Sequence, residues 1–454
     1  MFGEFEIEEF KKFLRLGLVF SCILGSYWSI RVLKSPIFVE LVDKQQIPWA
    51  KTASILCLIP IVMIYTKLLD KMTHAKMFYR IAALYGVTTI IFGLLFMSTS
   101  IGQAPREIIE LRQGFALYAT RVLGYAWYVF VESYGSLVIA LFWAITSSTT
   151  MPESAKKGYS LIVAIGQMGG IFSPYLISQL PGRYGHETSS LALFLCSILM
   201  FALIYLMSYF YKSTPHHLMT SFHGKNEEAI EQKQEPGFLE GLQLLIKHKY
   251  MLSIFAVTCI YEIIITIFDF HFTTMAATQY SGRAFDTYYG FYGSSVNLVA
   301  LACLLLGINN ITRILGVGFA LLLMPCIFAV ALFGFTTLNS LNFLFSLMVA
   351  SKAINYALNG PAIKQLYIPT TPDVRYKTQA WIEAFGSRSS KAAGSGFNML
   401  YGPLQKQLGE LAGRARHVAL SSYLGFSLVF VWFFIAWYLG KKYKHAIDNK
   451  NVVC

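Results

Sequence analysis

An all-α membrane protein with twelve transmembrane helices in two sets of six is what this sequence predicts, and three observations carry the prediction. Of the 454 residues, 55% are hydrophobic and only 13% are charged, more apolar surface than a soluble fold can bury. Apolar runs long enough to cross about 30 Å of hydrocarbon recur roughly twelve times. A single long polar break divides those runs six and six.

The first six spans are placed at Phe13–Val32, Trp49–Leu69, Met77–Met97, Val122–Ile145, Tyr159–Gln179 and Ser190–Tyr211. The second six follow at Tyr250–Phe272, Tyr288–Leu306, Ile311–Phe335, Leu341–Leu358, Thr378–Leu400 and Val418–Leu439, the eleventh being the least apolar. Between the sets, Lys212–Lys249 is polar, alternates Glu with Lys and contains Pro215, Gly224 and Pro236, the signature of a linker. The chain therefore divides into an N-terminal half (1–211), a cytoplasmic linker (212–249) and a C-terminal half (250–454). Inside the linker, Leu239, Leu242, Leu245 and Ile246 recur at helical spacing over Gly237–Lys247, so a short amphipathic helix along the inner membrane surface is expected.

The formal net charge is +13. No basic stripe interleaved with aromatics on a soluble domain accompanies it, so it reads as topology and not as nucleic-acid binding. With the N-terminus cytoplasmic, roughly 22 basic residues fall on cytoplasmic segments and about 10 outside, as the positive-inside rule requires. Lys11, Lys12 and Arg15 at the start and Lys441, Lys442 and Lys444 at the end put both termini inside. The seven cysteines have no CxxC spacing, and neither a disulfide framework nor a metal site is expected. The acidic opening Met1–Glu9 is unlike a transit peptide and the first span lacks a cleavage pattern, so it is expected to stay attached.

Charges inside apolar spans cost a few kcal/mol each and are kept mainly for function. Here they fall on spans one, four, seven, ten and eleven: Arg31 and Lys34, Glu132, Glu262 and Asp269, Lys352, and Glu383, Arg388 and Lys391. If each six-span half is built from two three-span repeats, as in major-facilitator carriers, spans one, four, seven and ten occupy equivalent places around one pathway. Arg31 and Lys34 share a helix face and repel unless an anion lies beside them. That makes them a clamp for phosphate or carboxylate oxygens, or, Lys34 standing near the end of its predicted span, a snorkelling pair. Arg388 and Lys391 repeat the spacing ahead of Ala392, Ala393, Gly394, Ser395 and Gly396, small residues that permit close helix approach. Glu383 is read either as a structural partner of Arg388 or as a gating group. Glu132 and Glu262 are candidates to partner a cation, take a coupling proton or hydrogen-bond a ribose or base, with an inert carboxyl as the bland option. Lys352 and Tyr356, one turn apart, could present an ammonium and a ring on one face.

Asp70-Lys71-Met72-Thr73-His74-Ala75-Lys76 resembles the charged cytoplasmic gate loop of major-facilitator transporters, which makes Asp70 a gating candidate; a solvated turn is the alternative. Gly166-Gln167-Met168-Gly169-Gly170 lacks a preceding strand and reads as helix packing, not a phosphate loop. No Walker motif, HExxH or serine elbow is present, which argues against an ATPase pump or membrane hydrolase, and no enzyme is expected.

Distributed segments resemble the nucleotide transporter family, the ATP:ADP antiporters of plastids and obligate intracellular bacteria. They are Arg31 with Lys34, Glu132-Ser133-Tyr134-Gly135-Ser136, Tyr261-Glu262-Ile263 with Asp269, Lys352 and Tyr356 leading to Pro361 and Tyr367-Ile368-Pro369, and Lys391 with Gly394 and Ser395. The resemblance implies a secondary transporter exchanging or importing nucleotides by alternating access. It implies a substrate site that includes Lys34, Glu132, Glu262 and a span-eleven cation. Arg31, Tyr261, Lys352, Tyr356, Arg388 and Lys391 complete the candidate binding set, and Asp70, Asp269 and Glu383 the gating or coupling set. The chain departs from the family at Val32, Ser35, Gly360 and Gln379, where acids or a lysine are expected. The competing reading is a carrier for another organic phosphate or organic anion; a non-transporting sensor or scaffold is a third. The implied setting is the inner membrane of a bacterium, with a nucleotide or other phosphorylated anion and the bilayer as partners, no nucleic acid, no cofactor, and a monomer.

Overall fold

The computed structural model describes residues 6–69, 72–97, 114–150, 152–180, 188–219, 238–307, 315–338, 340–367, 369–371, 378, 382, 386–449 and 453. Asp70 and Glu383 lie outside them. Helices account for all regular structure among the described residues. In chain order they are α1 (Ile7–Leu41), α2 (Ile47–Leu69), α3 (His74–Met97), α4 (Phe115–Ser148), α5 (Pro152–Gln179) and α6 (Thr188–Ser213). After α7 (Phe238–Lys247), the amphipathic stretch, come α8 (Lys249–Gln279), α9 (Gly282–Leu305), α10 (Val317–Leu338) and α11 (Leu341–Ile354). A π turn at Asn355–Asn359 joins α11 to α12 (Gly360–Leu366), and α13 (Ser387–Asn398), α14 (Tyr401–Leu408) and α15 (Glu410–Asp448) finish the chain.

Eleven of the described helical segments are long and apolar enough to cross a bilayer, and the protein is a multi-pass membrane protein. The eleventh predicted span is not among the eleven: its described residues are 378, 382 and 386–400, and the α-helix among them is the twelve-residue α13. The first span is the converse case. Hydropathy ended it at Val32 because Arg31 and Lys34 interrupt the apolar run, but α1 continues through Lys34 and Pro36 to Leu41. Lys34 is buried and has two further turns beyond it, so it does not snorkel.

The chain forms two compact units, Met1–Glu227 with Ala276–Leu298, and Glu228–Met275 with Val299–Cys454. In the first, α1 is the central rod, packed on α4, α5 and α6. The glycines Gly166–Gly170 serve the packing role expected of them: a Cβ on Gly169 would sit 1.9 Å from the Ser21 carbonyl oxygen of α1, so only glycine admits that approach. At its start α1 is tied down by cations. Buried Lys12 donates to the carbonyls of Thr149 (2.5 Å) and Leu218 (2.7 Å), and Arg15 to the Ser213 carbonyl (2.7 Å). These acceptors follow or end α4 and α6, where unsatisfied carbonyls favour positive charge.

At the other end of α1, Glu40 accepts a hydrogen bond from the Gly282 amide and lies within electrostatic reach of Asp286 on α9. Ser189 donates to Asp286 Oδ2, while its buried Oδ1 has no hydrogen-bond partner. Halfway along α9, Ser294 donates to the Ile171 carbonyl of α5 (2.9 Å).

In the second unit α10 packs along α15. Trp432 of α15 is fully buried against Phe328 (ring centroids 5.5 Å apart) and Tyr261 (6.4 Å). Next to this core His417 Nδ1 and His271 Nε2 meet at 3.2 Å inside a shell of Phe270, Phe397 and Tyr401. At that distance one ring nitrogen donates and the other accepts.

Candidate functional site

Six of the charged groups of the spans are held in three ion pairs, each between two helices of one unit. In the first unit the ammonium of Lys34 (α1) bonds Oε1 of Glu132 (α4) and stands 4.3 Å from the centre of the Tyr128 ring, one turn before Glu132. In the second, Lys352 of α11 lies 3.6 Å from Oδ1 of Asp269 (α8), and Lys391 of α13 lies 3.6 Å from Oε1 of Glu262, two turns earlier on α8. Ser387, one turn before Lys391, donates to the same Glu262 oxygen at 2.7 Å.

Each pair keeps one member partly accessible: the side chains of Glu132, Asp269 and Lys391 are 34%, 36% and 41% exposed. Dry pairs would be structural locks, because two ions withdrawn from water cannot be parted cheaply. A pair with one reachable member can exchange that partner for another anion or cation of better geometry. The arrangement is a set of lysines whose charge is balanced by carboxylates of neighbouring helices, the carboxylate being the reachable member at Lys34 and Lys352 and the lysine at Lys391.

The remaining candidates separate. Arg31 is a turn away from Lys34, but its guanidinium is turned to the Tyr27 hydroxyl and stands 5.4 Å from both the Tyr27 and Trp28 rings. Lys34 is thus paired with a carboxylate, which offsets the repulsion inferred from the spacing, while Arg31 stands against aromatic faces. Tyr261, next in sequence to Glu262, is buried in the core against Trp432 and Phe328. Tyr356 does not share Lys352's setting: Lys352 is buried and Tyr356 half-exposed. The π turn begins between them at Asn355 and changes the residues per turn on which the shared-face expectation rested. Arg388 is half-buried on α13. Gly394 packs close against α8, its Cβ position 3.0 Å from Thr266, as the small-residue run implied.

Sequence reasoning missed Tyr128, Ser387 and the network that braces Glu132. Next to that carboxylate Ser133 accepts from Tyr85 (2.7 Å), and Tyr134 shares a 2.6 Å hydrogen bond with Ser26 of α1. Ser29 and Ser173 make a 2.5 Å contact between α1 and α5. Only the spacing of Ser26, Ser29 and Ser133 within apolar runs could have marked them, and hydroxyls satisfied by their own helix are common in spans.

The comparisons with known proteins each cover most of the chain. A family model described as TLC ATP/ADP transporter matches residues 2–350. A protein named ADP,ATP carrier protein 1 from Rickettsia typhi is 23% identical, over 98% of this chain and 96% of its own. A chloroplastic ADP,ATP carrier protein 1 from Arabidopsis thaliana is 24% identical over 86% of this chain and 68% of its own. Among solved structures, a bacterial homologue of the iron transporter ferroportin in an inward-facing state superposes with a TM-score of 0.66, 10% identity, and 96% and 100% coverage of the two chains. At that identity the likeness concerns the fold, a major-facilitator-type arrangement of helices.

Proposed function

This chain belongs to the TLC ATP/ADP transporter family, and from that premise we propose that it moves nucleotides across a membrane by alternating access, the lysines of its spans taking the phosphates. The protein is a carrier and not an enzyme. The observation that carries the reading is that Lys34, Lys352 and Lys391 are each balanced by a carboxylate on a neighbouring helix, with one member of every pair accessible.

In this mechanism the carboxylates Glu132, Asp269 and Glu262 serve as resident counter-ions. A polyphosphate brings several charged oxygens on one molecule, so it outcompetes single carboxylates that are tethered at fixed distance. When a lysine turns to phosphate, its carboxylate is released to hydrogen-bond the ribose or base, or to take a proton. Ser387, already donating to Glu262, holds that carboxyl in place while Lys391 is engaged. On departure of the cargo each pair closes again, so no bare charge is left in a low dielectric.

Relatives named ADP,ATP carriers support adenine nucleotides as cargo, and the cluster of basic residues at both chain ends supports cytoplasmic termini in a bacterial inner membrane, the carrier working as a single chain. The test is uptake of labelled ATP, ADP and AMP into proteoliposomes loaded with nucleotide. Wild-type exchange of ATP and ADP, with at least about tenfold loss in Lys34→Ala, Lys352→Ala and Lys391→Ala, is the expected result, since a charge-assisted contact is worth about 1.5–3 kcal/mol. Undiminished exchange by Lys34→Ala would remove the lysine pairs from the mechanism, and transport of sugar phosphates in preference to nucleotides would replace the cargo.

A further inference from the structure

We propose that the second unit carries a binding site for one acidic phospholipid, in a groove between α10 and α15 that is separate from the lysine pairs. The groove is a cavity of about 500 Å³ lined by Thr336 of α10 and by residues from Leu411 to Phe426 of α15. Its cause is the way these two helices cross. At one end they meet through glycine, where a Cβ on Gly440 would lie 2.8 Å from the Gly318 Cα. Gly425 fits under Leu332 in the same manner. Beyond that contact α15 offers the small side chains of Ala415, Ala419 and Ser422 toward Thr336, and the space between the helices is left open.

Three features select the occupant. First, position: Arg414 lies 27 residues before Lys441 on one unbroken helix, about 40 Å at 1.5 Å per residue. A bilayer with its headgroups is about 40–45 Å thick, so the two cations mark its two headgroup levels. Second, length: the groove runs from Leu411 to Phe426, about 22 Å, which is close to the depth of one leaflet with its headgroups, half of about 40–45 Å. Third, chemistry: Arg414 is the single charged group in the lining, and the hydroxyls of Thr336 and Ser422 are spent on carbonyls of their own helices, Phe333 and Val418. Below the guanidinium the wall is apolar apart from the largely exposed Tyr423, which suits an acyl chain. No ion-pair partner of Arg414 occurs among the described residues, which leaves its fork for a phosphate with net negative charge. The lipid fills the opening between α10 and α15 and props the two helices at that end.

The site is independent of the cargo, and its test does not use transport. Full-length protein, purified and stripped of lipid by detergent exchange, is incubated with phosphatidylglycerol or phosphatidylcholine at equal concentration, and retained adducts are counted by native mass spectrometry. Wild type is expected to retain one phosphatidylglycerol with about fivefold preference, the worth of one basic side chain at a headgroup. In Arg414→Gln that preference falls to that of phosphatidylcholine, and in Ala419→Trp, which fills the groove, both lipids are lost. Arg414→Gln keeps the groove's shape, so the charge is tested even if the tryptophan variant fails to fold. Equal retention of the two lipids by wild type, an unchanged preference in Arg414→Gln, or displacement of the adduct by ATP would each overturn the proposal.

Discussion

A lysine in an apolar span is legible as an expense that something must justify, but which carboxylate justifies it is not. Lys34 and Glu132 are 98 residues apart, and only the packing of α1 on α4 joins them. The pair has consequences for stability as well as transport. Removing the cation alone leaves Glu132 with its desolvation uncompensated. Lys34→Ala is expected to lower stability by about 1–3 kcal/mol, less than the 3–5 of a fully buried pair because Glu132 is partly exposed. The double variant Lys34→Ala/Glu132→Ala should regain much of that stability and none of the transport, which thermal unfolding and uptake measured side by side would decide. Asp286 offers a second residue-scale test away from the lysines. Its Oδ1 is buried without a donor while Glu40 lies close by. Asp286→Asn supplies an N–H that Glu40 can accept, so a gain of about 1 kcal/mol is expected in thermal unfolding; a loss would mean that the native carboxyl already makes the better contact.

Among the elements, the spans were largely readable because length and hydropathy are local properties, and the failures were physical. Hydropathy cut α1 short at the two cations that protein, and not lipid, surrounds. The eleventh span's sequence is rich in small and polar residues, and α13 has a mean composition suited to packing on α8 and not to facing hydrocarbon. The π turn at Asn355–Asn359 left no pattern in the sequence; its visible support is the 2.8 Å hydrogen bond from Asn359 to Asn355. Glycine spacing was readable as packing, yet the glycines are not equivalent. Gly169→Ala drives a methyl into the Ser21 backbone of α1, which cannot move aside, and should cost about 1–3 kcal/mol or more. Gly396→Ala, with nothing within 4 Å of the new carbon, should be neutral or slightly stabilising through helix propensity. Comparing folded yields and melting temperatures of the two variants checks this directly.

For the molecule as a whole, the balanced lysines change what an empty carrier can do. With its cations bare, a carrier would resist reorienting through hydrocarbon and would be confined to one-for-one exchange. With each lysine closed on a carboxylate, the unloaded protein carries compensated charge, and some net movement is permitted. Wild type is therefore expected to show slow net uptake into nucleotide-free proteoliposomes alongside faster exchange. In Glu262→Gln the empty form has an unbalanced Lys391, so net uptake should fall well below wild type while exchange, in which phosphate supplies the counter-charge, is less affected. Equal loss of both modes would assign Glu262 to cargo contact instead. Charges within apolar spans are legible in the sequence as the mark of a carrier, whereas their pairing joins helices far apart along the chain and so is not.

The ties made by Lys12 and Arg15 carry a mechanical implication. A rod fastened near its first turns and running on to Leu41 extends about 43 Å past Lys12 at 1.5 Å per residue. Pivoting there by about 10° would swing its far tip by about 7 Å, simple leverage on that length. Lys34, three quarters of the way out, would sweep most of that arc, so small adjustments at the anchored foot are magnified where the phosphate is proposed to be gripped.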